Sequence, residues 1–314
     1  MTAVQQAPTG APPGGAAGQR GRRGRVTRRV PPLVWLFLLL PLAVELFWVF
    51  WPAMNSFSLS FTSWSGVGAA EPVGLENYER LLADPIFATA LRNNVIWAIG
   101  FGGLSVAGGL ALAVALNRPG RGVGIYRSAI YLPMVISLAV TGLFWRVMYQ
   151  PGGPIDAGLG VLGLDALQQQ WLANPDTALY AVLIAAVWRQ VGYIMVLYLA
   201  GLKGCDPTLE EAAAVDGANA WQRFWKVVMP QLRGVSTVVF AVTVIDSLRT
   251  FDIVWAMTRG GPYNTTQLLS TYMFQQGFTL VNLGYGSAIA VVIFLLAIAF
   301  IITYLVRQAR AEEV

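Results

Sequence analysis

A chain of 314 residues that is 56% apolar and only 12% charged has too few charges to coat a soluble protein, which carries about 25%. The absence of histidine and the single cysteine, Cys205, remove the commonest general base, the commonest metal ligand and any intrachain disulfide. Catalysis, a metal and a cofactor are therefore not expected, and any energy source has to be a partner. The net charge of +5 comes mainly from an N-terminal arginine cluster beside an apolar run. That placement points to a lipid bilayer with anionic headgroups, and nucleic acid is not expected as a partner.

The apolar residues fall in blocks near the ~20 residues that cross a bilayer. The fold class expected is all-α, a polytopic membrane protein with six transmembrane helices. Residues 1–30, rich in Ala, Pro, Gly and then Arg, read as a disordered basic cytoplasmic tail, and residues 31–314 as the membrane domain. The first span is expected over Leu33–Trp51, with Pro52 and the Ser/Thr-rich stretch after it marking its end. A polar segment from Gly74 to Asn93 reads as interfacial, in short amphipathic pieces. The second span, Val95–Leu116, carries Gly102, Gly103, Gly108 and Gly109 for close helix packing. The third is expected over Ile125–Tyr149 with Pro133 inside it, followed by a long Gly/Pro/Gln loop, Pro151–Pro175. The fourth covers Leu179–Leu202, the fifth Val235–Met257 and the sixth Leu283–Val306.

Between the fourth and fifth spans lies the most informative stretch. Glu211, Ala212 and Ala213 are followed by three residues, Gly217, nine residues, then Val227, Val228, Met229 and Pro230. Glu and Ala favour helix, Asp206 caps it with Pro207 in its first turn, and Gly217 frees the backbone for a sharp bend. Pro230 is expected to end the segment and redirect the chain. An ordinary surface helix shares the Ala and Glu but not the Gly and Pro at these spacings. The pattern resembles the EAA loop of the membrane subunits of bacterial ABC importers, with Val227 and Met229 in place of that loop's Ile and Leu. "GLENYERLL", "YLPMVIS" and "FDIVWAMTRGGPYNTT" are similar to segments of the type I carbohydrate permeases, the maltose, lactose and glycerol-3-phosphate group. The resemblance covers about residues 33 to 307. It implies a permease that pairs with a second permease subunit as a heterodimer, with two cytoplasmic ATPase subunits and with an extracytoplasmic sugar-binding protein. In that family ATP closes the ATPase pair and the permeases open outward. Glu211, Ala212, Ala213, Asp216, Gly217, Ala218 and Pro230 are the expected ATPase-coupling residues.

Six spans put both ends on one side. That side holds the arginine cluster, Arg118, Arg121, Arg127, Lys203, Arg223, Lys226, Arg233, Arg307 and Arg310. The excess of basic residues makes both termini and the EAA loop cytoplasmic. The chain has no Gly-x-x-x-x-Gly-Lys-Ser/Thr loop and no internal repeat, which argues against ATP binding on this chain and against a secondary carrier. The rival reading is an ion- or proton-coupled carrier or channel using Glu45, Asp246 and Asp252; it leaves the EAA pattern without a role. A membrane scaffold accounts for the helices but not for the charges within them.

Arg189 sits near the middle of the fourth span and Arg249 near the middle of the fifth, with Asp246 and Asp252 three residues either side of Arg249. On a continuous helix these three share one face. An unpaired charge at the bilayer centre costs roughly 2.5–3.5 kcal/mol on insertion scales, so the groups are expected to face the bundle interior and pair. With Tyr193 and Phe251 they form the expected substrate pathway, Arg189, Tyr193, Asp246, Arg249, Phe251 and Asp252. A purely structural ion cluster is the alternative.

Overall fold

The computed structural model describes residues 32–312. The basic tail, including the region expected to be disordered, lies outside the described residues. The chain divides into two units, Met1–Trp51 and Pro52–Val314. In the first, α1 (Pro32–Glu45) leads into a π turn, Leu46–Phe50.

The second unit begins within α2 (Trp51–Leu59) and continues through a two-stranded antiparallel hairpin, β1 (Thr62–Ser63) and β2 (Glu71–Pro72). Then follow α3 (Glu76–Ala83), α4 (Pro85–Leu116), α5 (Val123–Val135), α6 (Leu138–Met148), α7 (Pro154–Val161) and α8 (Ala178–Lys203). The EAA stretch comprises α9 (Pro207–Val215), α10 (Ala220–Arg223), a π turn and α11 (Met229–Gln231). After it come α12 (Arg233–Leu248), α13 (Asp252–Met257), α14 (Leu269–Phe274), a π turn and α15 (Leu283–Glu312).

Four helical runs are long and apolar enough to cross a membrane: Phe37–Leu59, Pro85–Leu116, Ala178–Lys203 and Leu283–Tyr304. Two bent pairs, one at 103° and one at 74°, raise the number to six if each is a single span. The four runs fall on the blocks expected as the first, second, fourth and sixth spans and the 103° pair on the third, while the 74° pair, Ala220–Gln231 with Arg233–Leu248, starts well before the Val235 expected for the fifth. The first helical run reaches Leu59 instead of ending at Trp51. Pro52 does not end the run: it follows directly on the π turn Leu46–Phe50, whose wider i→i+5 bonding carries the helix past it, with Trp51 N–H donating to Leu46 O. Of the interfacial segment expected before the second span, the first piece is the separate helix α3 and the rest, from Pro85, merges into α4. Asp84 caps it, accepting from the amides of Ile86 and Phe87 at 2.8 and 3.4 Å, and Pro85 takes the first helical position. The long loop after α6 contains α7, with Pro154 likewise at its start.

The block expected as the third span is two helices. Ile136 is extended (φ −77°, ψ 137°), and Ser137 restarts the helix by accepting from the Val140 amide at 3.4 Å. The carbonyls freed at this break are claimed from the fourth span: the Arg189 guanidinium donates to Ile136 O at 3.0 Å and to Met134 O at 3.3 Å. The block expected as the fifth span is broken as well. α12 ends at Leu248, Arg249–Phe251 are non-helical, and α13 starts at Asp252. Thr250 Oγ1 turns back to donate to Asp246 O at 2.8 Å, Trp97 Nε1 donates to that hydroxyl at 3.1 Å, and Ser270 Oγ donates to Thr250 O.

Packing centres on α4 against α8. A Cβ at Gly109 would stand 2.5 Å from the Ile194 side chain and 3.0 Å from the Met195 amide nitrogen, so only glycine fits. Gly108 faces Val191, whereas a Cβ at Gly103 would meet no other atom of this chain within 4 Å. Gly192 lies against the Ile130 backbone and lets α5 approach α8. The core at this junction holds Trp97, Val182, Ala185, Ile253 and Val254, all fully buried. Many other apolar side chains stay exposed, as lipid-facing or partner-facing helices require.

Candidate functional site: a coupling stretch and a charged cavity

The EAA stretch has the local form its residues dictate. Asp206 caps α9, accepting from the Thr208 amide at 2.9 Å, and Pro207 opens it. The helix stops before Gly217, which sits at φ +83°, a left-handed conformation that costs other residues roughly 1–2 kcal/mol. Asn219 and Gln222 then cap the next helix reciprocally, at 2.9 and 3.0 Å. Gln231 closes the base of the stretch: its Oε1 accepts from the Asp206 amide at 2.8 Å while its Nε2 donates to Val227 O at 3.1 Å. Pro230 does not itself redirect the chain. The 74° bend falls at Leu232, which is fully buried.

Glu211, Ala212, Asp216, Gly217 and Pro230 are exposed, and Ala213 and Ala218 half-buried. Ala213, Asp216, Gly217, Ala218, Gln222, Lys226 and Val227 line an open recess of about 440 Å³. One ion pair, Arg223 with Glu210 at 3.7 Å, braces α10 against α9.

The second assembly is a cavity of about 300 Å³ between α4, α5, α6, α8, α12 and α13. Arg189, Gln190, Asp246, Arg249, Thr250 and Asp252 supply its polar wall; Phe101, Met134, Leu138, Ala186 and Ile253 supply the apolar one. The structure thus brings together four of the six residues expected on the pathway. It does so by a different route from the one anticipated. Asp246, Arg249 and Asp252 do not share a helix face, because the helix ends between the first two. Among the described residues no ion pair within 4 Å joins them, since the Arg223–Glu210 contact is the only one present. Asp246 instead accepts from the Gln190 amide at 3.1 Å, and Arg189 is spent partly on the break in the third span.

Tyr193 and Phe251 are not in the cavity wall. Tyr193 packs against the cluster of Ala113, Ile194, Met195 and Tyr198. Phe251 stacks on Trp255 at 5.6 Å and touches Phe274 at 5.0 Å. Gln190 and Thr250 went unnoticed in the sequence because an isolated polar residue on an apolar helix carries no periodic signal.

A further polar group fixes the junction of α3, α4, α14 and α15. The Asp84 carboxylate, besides capping α4, accepts from Tyr272 Oη and from Tyr285 Oη, the latter at 2.7 Å. Burial works against its charge, but these hydroxyls and the Ile86 and Phe87 amides outweigh it and hold Asp84 below the usual carboxylate range. A carboxylate with a depressed folded-state pKa stabilises fully above its unfolded pKa of about 3.9, and that stability is lost as pH falls through the folded value. Asp84→Asn is expected to cost about 1–3 kcal/mol at pH 7, the scale of hydrogen bonds to a charged group. Thermal unfolding in detergent at pH 7 and pH 3 checks this: the variant should melt lower at pH 7, and its deficit should shrink at pH 3.

Residues 105–310 match the family of binding-protein-dependent transport system inner membrane components. The chain belongs to that family: it is a multi-pass subunit of a membrane transport system and not an enzyme. It is 36% identical to a probable ABC transporter permease of Pyrococcus horikoshii over 290 residues, covering 91% of this chain and 99% of that one. It is 33% identical to the trehalose/maltose transport system permease protein MalF of Thermococcus litoralis, covering 88% and 94%. Among solved structures, a bacterial ABC transporter that imports the acidic polysaccharide alginate superposes with a TM-score of 0.76 at 20% identity, covering 88% of this chain and 95% of that one.

Proposed function

We propose that this chain is the sugar-translocating permease of an ATP-driven importer, with six spans, both termini and the EAA stretch in the cytoplasm, and residues 31–314 as its membrane domain. The observation that carries the reading is the EAA stretch itself: an exposed helix, a left-handed Gly217 and a recess of about 440 Å³. A thin alanine surface beside a recess is shaped to receive a partner. Glu211, Ala212, Ala213, Asp216, Gly217, Ala218 and Pro230 dock on one of two ATPase subunits, and Gln231 holds the base of the loop. A second permease completes the pathway, and a sugar-binding protein delivers cargo from outside. Relatives named for trehalose/maltose and for xylose/arabinose support a saccharide cargo. The cavity of Arg189, Gln190, Asp246, Arg249, Thr250 and Asp252 is where that cargo passes, its two arginines and two aspartates presenting donors and acceptors to sugar hydroxyls with no net charge.

Co-expression with the partner permease and ATPase should yield a complex whose ATP hydrolysis rises when sugar-loaded binding protein is added. A complex that forms but ignores the loaded binding protein contradicts the reading.

Orientation has its own test. In a Cys205→Ser background, cysteines placed at Asn174 and Asn264 should react with an impermeant thiol reagent added to intact cells, while one placed at Asp216 should react only after lysis. The reverse pattern inverts the topology and removes the coupling role.

A further inference from the structure

A second polar recess, of about 220 Å³, opens between the β1–β2 hairpin, α3 and the start of α15. It lies beyond the Asp84 end of α4, whereas Phe101 of the charged cavity lies 16 residues inside that helix, about 24 Å along its axis at 1.5 Å per residue. The two are separate sites.

The walls of the recess are held from behind. Asn77 Nδ2 donates to Ser60 O and to Thr62 O, both at 2.9 Å, which spends its donor side on the hairpin and leaves its carbonyl oxygen uncommitted. Trp64 Nε1 donates to Gly68 O at 3.0 Å, fixing the indole within the loop. The Arg80 guanidinium rests over the Tyr285 ring at 4.4 Å, and among the described residues it has no carboxylate within 4 Å. Gly284 packs so close to the Thr62 carbonyl that no Cβ fits, clasping the hairpin to α15, and its amide donates to Trp64 O at 3.3 Å. Glu71, Asn282, Ser63 and Ser65 complete the polar lining.

We propose that this recess is a second saccharide subsite, taking one pyranose-sized unit of a neutral sugar. This rests on the reading of the chain as a sugar permease. A planar guanidinium, a carboxylate and two amides offer paired donors and acceptors that match adjacent hydroxyls, with Trp64 in the wall beside them. The volume lies below the roughly 300–1,000 Å³ of pockets for drug-sized ligands, so the recess holds about one sugar ring, and any further units of a longer sugar stay outside it. Glu71 and Arg80 cancel in charge, which favours a neutral polyol. A charged side chain from a docked protein would meet a like charge on one wall or the other.

The test uses the full permease–ATPase complex in nanodiscs, without binding protein, and saturation-transfer NMR with maltose, trehalose, xylose and arabinose as probes. At least one probe should give a transfer signal that falls about fivefold or more in both Trp64→Ala and Glu71→Gln. Glu71→Gln changes charge with almost no change of shape and sits on an exposed strand, so it separates lost binding from lost fold; basal ATP hydrolysis should be unchanged in both. Part of the signal should survive Asp246→Asn, which alters only the charged cavity. The proposal is overturned if no probe gives a signal, if the recess variants leave the signal intact, or if Asp246→Asn alone abolishes it. None of these results touches the permease reading, which stands or falls on hydrolysis stimulated by loaded binding protein.

Discussion

Gly217→Pro should abolish sugar-stimulated ATP hydrolysis while the permease still inserts and assembles. Proline fixes φ near about −65°, and Gly217 sits at +83°, so the bend between α9 and α10 cannot form. The damage stays local: no heavy atom of a neighbouring group lies within 4 Å of where a Cβ would stand, and the residue is exposed. Membrane packing is remote from it, in the Gly109–Ile194 and Gly192–Ile130 contacts. Ala213→Trp should act in the same way by filling the recess next to the bend. A fall of at least about tenfold in stimulated hydrolysis, the equivalent of about 1.4 kcal/mol, is expected for each, with normal expression and normal recovery of the complex. Full transport by either variant shows that the stretch is a tolerant surface loop.

The second large effect is expected in the cavity. Arg249 is exposed within it and makes no ion pair within 4 Å among the described residues, so Arg249→Gln removes a contact available to cargo while Asp246 keeps its hydrogen bond from Gln190. Asp246→Asn keeps a side-chain oxygen that can accept from Gln190, whose amide now stands 3.1 Å from the carboxylate. Both variants should assemble, keep basal hydrolysis and lose sugar uptake about tenfold or more, or take a different sugar. Arg189→Gln should behave differently, because Arg189 also bonds the Ile136 and Met134 carbonyls. Its loss should lower thermal stability as well as uptake. Tyr193→Ala, by contrast, lies in the packing cluster outside the cavity and should cost stability with cargo choice unchanged. If Arg249→Gln and Asp246→Asn instead block assembly and leave no folded complex, the charges serve packing and the cargo passes elsewhere.

The EAA stretch was legible from sequence because everything that shapes it is local: a capping Asp206 next to Pro207, a helix-forming run, and a glycine where the chain turns. The breaks in the third and fifth spans were not legible, because what makes them tolerable is distant. The carbonyls at Met134 and Ile136 are satisfied by Arg189, 55 and 53 residues away. The Arg249–Phe251 break is held by Trp97 and Ser270. Such partners emerge only once the helices are packed, so apolar length alone read each broken span as continuous. The same limit explains the site. Arg189, Asp246, Arg249 and Asp252 announced themselves as charges in apolar blocks, but which of them meet, and that Gln190 and Thr250 join them, depends on the break that puts Asp252 on a new helix. The start of α4 had a readable signal in Asp84 and Pro85, which the mixed polarity of the following residues obscured.

The most direct measurement is radiolabelled sugar uptake into proteoliposomes holding the complete complex, with ATP sealed inside and loaded binding protein outside. The account predicts uptake that needs both, that is indifferent to a proton gradient, and that fails with Gly217→Pro. Uptake driven by a proton gradient in the absence of ATP and binding protein, and undiminished by Gly217→Pro, would contradict it and restore the ion-coupled carrier.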